Sequence, residues 1–91
     1  MTVQFHREAV KFVEKLNEPD KSDVINRFNG FVKRIDELNA LPISEYNLKK
    51  LSGKWKGFKR LKFNNIRIIF KDDIPNSELF VYIIDFRGNL Y

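Results

Sequence analysis

The sequence contains no cysteine and only one histidine in 91 residues. The first absence excludes disulfides and thiolate-bound metal. The second, with no clustered carboxylates to help, leaves nothing on which to build a zinc site. No metal and no cofactor are expected. Long apolar runs are also missing. None approaches the roughly 20 residues that a membrane-spanning helix needs, and the N-terminus lacks the apolar segment of a signal peptide. The reading is a cytoplasmic protein with no membrane partner. Glycine and proline are sparse, at four and three, and no linker, repeat or low-complexity stretch interrupts the chain, so residues 1–91 read as one domain.

The most informative absence is local. Residues 49–71, KKLSGKWKGFKRLKFNNIRIIFK, contain no Asp or Glu but nine Lys and Arg. The segment therefore carries +9, while the residues before it carry −1 and those after it −3, which gives the +5 of the whole chain. Charge segregated in this way makes a local field that attracts phosphate-rich partners.

What is present has a clear pattern. Thr2 to Phe5 can form a short strand. Ala9, Val10, Phe12, Val13 and Leu16 recur at helical spacing, and Pro19 ends that helix by disfavouring helical geometry at Glu18. Asp20 or Ser22 can cap a second helix. That helix runs to about Leu38 on a stripe of Val24, Ile25, Phe28, Phe31, Val32, Ile35 and Leu38. Gly30 within it suggests close approach to the first helix. Asn39 to Leu48 reads as a loop. Asn64-Asn65 sits between two alternating runs and suits a hairpin turn. In that hairpin Phe63 faces Ile66, Lys62 faces Arg67, Leu61 faces Ile68 and Arg60 faces Ile69. Leu61, Phe63, Ile66, Ile68 and Phe70 then point into a core, with Arg60, Lys62 and Arg67 on the other side. Like charges gathered on one face cost stability unless an anion bridges them. Glu78 to Phe86 is apolar on both parities, as expected of an internal strand. The expected fold is α+β with two layers in the order β-α-α-β-β-β: an antiparallel helix hairpin packed on a mainly antiparallel, twisted sheet.

The segment GFKRLKFNNIRIIF places Arg60 and Arg67 seven residues apart around a strand, a turn and a second strand, and DFRGNLY places Arg87 four residues before Tyr91. In these motifs, and in element order over the whole chain, the sequence resembles the RelE/ParE toxin superfamily of toxin–antitoxin systems. The RelE-like branch implies a toxin that cleaves mRNA on the ribosome without metal, by attack of an RNA 2′-hydroxyl on the adjacent phosphate. The resemblance implies that Arg60, Arg67 and Arg87 stabilise the phosphate and that Tyr91 transfers a proton or stacks on a base. Lys54, Lys56, Lys59 and Lys62 would then hold the RNA or ribosomal backbone. It also implies an acidic antitoxin as the cognate partner. Phe86 stands where the family usually has His, which keeps open the ParE-like alternative, a non-nuclease that inhibits DNA gyrase. An inactive toxin-like binding domain is the third reading. Trp55 is assigned to partial core rather than base stacking, and His6 to ordinary surface.

Overall fold

The computed structural model describes residues 1–86. Two helices cover one face of a five-stranded mixed sheet, so the α+β expectation holds. Strand β1 (Thr2–Phe5) leads into α1 (Arg7–Lys15) and α2 (Asp20–Leu38), followed by β2 (Asn47–Lys50), β3 (Lys59–Phe63), β4 (Ile66–Asp73) and β5 (Glu78–Phe86). The sheet order is β1-β5-β4-β3-β2. Only β1 with β5 is parallel; the other three pairs are antiparallel.

The β3–β4 hairpin has the register that alternation predicts. Phe63 pairs with Ile66, Lys62 with Arg67, Leu61 with Ile68 and Arg60 with Ile69. Asn64 takes a positive φ of 53° in the turn, a conformation in which Asn is among the better-tolerated residues. Strand β5 lies between β1 and β4, as its two apolar parities suggest. One irregularity changes its faces. Ile69 pairs with Ile83 but Phe70 pairs with Val81, so Tyr82 is an extra residue, a β-bulge. Val81 and Ile84 are therefore both buried against the helices, while Tyr82 and Ile83 turn to the opposite face.

The core follows from these periodicities. Helix α2 buries Val24, Phe28, Phe31 and Ile35; Ile25 and Leu38, at the margins of its stripe, stay exposed. Phe31 is fully buried, and its ring meets Tyr46 at 5.2 Å, Phe70 at 5.6 Å and Phe28 at 6.3 Å. It joins helix, sheet and the segment before β2.

Three local expectations need correction. Neither Asp20 nor Ser22 caps α2. Pro19 holds the N-cap position without a side-chain bond, and the Glu18 carboxylate instead accepts from the Ser22 backbone N–H and hydroxyl. That pair of bonds holds the Glu18 carboxyl below its usual range. Gly30 does not mark contact with α1: a methyl group there would meet only Tyr46 Oη, at an ordinary 3.7 Å. Asn47 and Leu48, placed at the end of a loop, instead open the edge strand β2, pinned by pairing of Leu48 with Leu61. Arg34 Nε donates to Glu45 at 2.8 Å, tying the segment before β2 to α2. This hydrogen bond lowers the Glu45 carboxyl from its usual range.

Candidate functional site

The face of the sheet away from the helices carries two rows of side chains that cross the strands. In the first, Asn47 of β2, Lys62 of β3, Arg67 of β4 and Asp85 of β5 are successive register partners. In the second, Lys49, Arg60, Ile69 and Ile83 are aligned in the same way. Arg60 Nη2 donates to Asn47 Oδ1 at 3.0 Å, linking the rows diagonally. The Nε atoms of Arg60 and Arg67 are both buried, although each residue as a whole is half-exposed. Packed stems leave less conformational freedom to lose when a planar guanidinium meets an anion.

Lys59 goes elsewhere. It shares its parity with Leu61 and Phe63, which places it on the helix side of the sheet, where its ammonium pairs with the Asp72 carboxylate. Alternation separates it from Arg60 and Lys62, with which the sequence groups it. Lys54 and Lys56 lie in and beside the 3₁₀ turn Gly53–Trp55, exposed to solvent. With Lys49 and Lys50 they form a set of four lysines that have no ion pair with any described residue. Arg87 and Tyr91 lie outside the described residues.

The lysine-bearing turn is fastened to the open face by rings. Trp55 meets Phe58 and Tyr82 edge-on, both at 5.6 Å, and Phe58 meets Tyr82 at 5.6 Å. Lys71 stands 5.4 Å over the Phe58 ring. Trp55 is thus part of a second, smaller apolar cluster, as its sequence context suggests. Trp55→Ala should cost about 1–3 kcal/mol of stability, the scale for burying one large apolar side chain. It should also speed proteolytic cutting at Lys54 and Lys56. An unchanged cleavage pattern would show that the rings do not hold the turn.

No protein-family model and no curated protein matches the sequence. Solved structures do match in shape. The YoeB–YefM toxin–antitoxin complex from Staphylococcus aureus aligns with a TM-score of 0.74 over 96% of this chain and 97% of that one, at 17% identity. The RelBE2 toxin–antitoxin complex from Mycobacterium tuberculosis gives 0.73 over 94% and 96%, at 20% identity. The RelB–RelE antitoxin–toxin complex from Methanococcus jannaschii gives 0.70 over 97% and 94%, at 16% identity. The chain has the RelE-like toxin fold.

On this RelE-like scaffold, two guanidinium groups and an ammonium from adjacent strands share one surface. Such a set can receive a phosphate through charge-assisted, paired hydrogen bonds. Among the described residues, no three of His, Asp or Glu are grouped as metal ligands would be, and no helix is long and apolar enough to cross a membrane. Two residues of this face were not assigned to it from the sequence. Asn47 was hidden in a supposed loop. His6 was set aside for its distance along the chain, yet it is half-buried and its ring lies 5.0 Å from Tyr82 on the open face. Only the parallel pairing of β1 with β5 brings it there. No periodicity within residues 1–16 signals that pairing.

Proposed function

We propose that this chain is the toxin of a type II toxin–antitoxin system and that it cleaves mRNA on the ribosome, in the cytoplasm. The observation that carries this reading is the placement of Arg60 and Arg67 on neighbouring strands of one open face, beside Lys62. In the proposed reaction the RNA 2′-oxygen attacks the adjacent phosphorus and loses its proton to a base. The bond from phosphorus to the 5′-oxygen breaks, and that oxygen takes up a proton. The products are a 2′,3′-cyclic phosphate and a 5′-hydroxyl. Negative charge builds on the phosphate oxygens in the transition state, where preorganised cationic donors are most effective. Arg60, Arg67 and Arg87 take that role. Tyr91 is assigned to proton transfer or base stacking; to act as a base it would need cations close enough to lower its phenol toward neutrality. Lys54, Lys56 and Lys62 hold the nucleic-acid backbone. Lys59, paired with Asp72, is left out of this set.

The experiment is a ribosome-programmed cleavage assay read by primer extension. Purified protein should produce cuts in register with codons. Intact message at saturating protein would remove the nuclease reading. The ParE-like alternative draws on Phe86, whose ring packs against Phe12 at 5.1 Å in place of the usual imidazole. It requires that gyrase supercoiling fall on addition of the protein while message ends stay unchanged.

The partner of this toxin is an acidic antitoxin. An apolar groove of about 220 Å³ runs between α1 and α2, over Ala9, Val13, Val24 and Phe28. Phe5, Val10 and Ile25 line it with 42–45% of their surface exposed. An amphipathic segment laid there would bury them. Co-expression with the neighbouring gene product should yield a complex by native mass measurement; recovery of only the free chain would count against the pairing.

A further inference from the structure

Beside β5, on the side facing α1, lies a cleft of about 540 Å³. Its walls include His6, Lys11 and Lys15 from the N-terminal segment and Tyr82, Ile83 and Asp85 from β5. We infer that this cleft binds a flanking nucleotide of a single-stranded RNA whose neighbouring phosphate lies on the arginine row. The inference rests on the nuclease reading and extends it to residues that reading does not use.

Four observations support it. First, the cleft adjoins the row. Asp85 is the direct strand partner of Arg67, so the two surfaces are separated by one strand spacing, about 4.8 Å. Tyr82 stands three residues further along β5, roughly 10 Å away at the usual rise, a span within reach of a short step of extended single strand. Second, the wall has an aromatic surface. The His6 and Tyr82 rings are 5.0 Å apart with only 34° between their planes, and rings on one wall give an unpaired base something to stack on whatever its sequence.

Third, His6 is fixed in orientation. Its Nδ1 accepts a hydrogen bond from the Glu8 backbone N–H at 3.2 Å, as the N-cap of α1. The ring proton of the neutral imidazole is therefore on Nε2, which is left as a donor. Fourth, cations remain for a phosphate. Lys11 and Lys15 are four residues apart and so share one face of α1. The wall also holds two acids, but each has a cation near it. Glu8 lies 3.9 Å from Lys11, and Asp85 stands across from Arg67. Lys15 has no ion pair with any described residue. The sum over residues 1–48 is nearly neutral, and it does not reveal that the helix brings Lys11 and Lys15 to the cleft, together with Glu8.

The test uses the full chain and a short unstructured RNA with 2′-O-methyl sugars, which has no free 2′-hydroxyl to attack. Affinity is measured over a series of salt concentrations. The Lys11→Gln/Lys15→Gln variant should bind about tenfold more weakly, and its salt slope should fall by about 1.4, the value for two single-strand phosphate contacts. His6→Asn keeps a capping side chain but removes the ring, and should weaken binding at least fivefold or so, the low end for one stacked base. Affinity for a dinucleotide that reaches only the arginine row should not change in either variant. Equal affinity of both variants and the parent for the longer RNA, or loss of antitoxin binding with RNA binding intact, overturns the inference. The two readings fail separately: if the parent protein leaves message intact at saturating concentration while the lysine variant loses RNA affinity, the cleft stands and the nuclease reading falls.

Discussion

Arg67→Ala should lower codon-positioned message cleavage by a factor on the order of 10²–10³, the range seen when one preorganised transition-state donor is removed. The reason lies in the position of the residue. Arg67 is in the middle of the Asn47–Lys62–Arg67–Asp85 row, on a central strand, with its Nε buried. A side chain held there has little freedom to lose when charge develops on the phosphate. Arg67→Lys should recover only part of the rate, because an ammonium cannot offer two parallel hydrogen bonds to one phosphate. The folded state should change much less than the rate, since Arg67 is half-exposed and contributes little to the core. Thermal unfolding of the variant separates the two effects. Normal cleavage by a folded Arg67→Ala protein would mean that the chemistry lies elsewhere on the chain.

Phe31→Ala should have the largest effect on stability, about 3–5 kcal/mol, the usual cost of deleting a buried aromatic ring. Phe31 is fully buried and touches rings from α2, β4 and the segment before β2. Three different parts of the fold would therefore face the same cavity, and none can close it alone without leaving the others. A domain of this length has only about 5–14 kcal/mol of stability in total, so the variant should lose a large share of its margin. Chemical denaturation should show a large fall in midpoint with an unchanged slope. A loss below about 1 kcal/mol would mean that the neighbouring rings repack freely, contrary to the close-packed interior expected of a folded domain.

The two effects differ in how visible they are in the sequence. Phe31 is legible because a helical stripe repeats over four turns. Arg67 is legible because isoleucines flank it and side chains alternate along a strand. Asn47 was not, since NLKK contains a single apolar residue and an edge strand buries only one face. Lys59 was misplaced by attention to charge instead of parity: two residues before Leu61, it had to point toward the helices. The bulge at Tyr82 has no local signature in an apolar run, yet it decides which rings reach the open face.

Taken alone, the sequence determined the two helices, the hairpin register at Asn64-Asn65 and the concentration of positive charge in residues 49–71. Each of these depends on neighbours a few residues apart, where the periods of helix and strand act directly. Only the tertiary structure decided that β1 runs parallel to β5, that His6 comes to rest on Tyr82, and that Asn47, Lys62, Arg67 and Asp85 form one row. Strand order and cross-strand alignment come from burying the apolar faces of distant segments together, and no periodicity within any one segment records which partner it will meet.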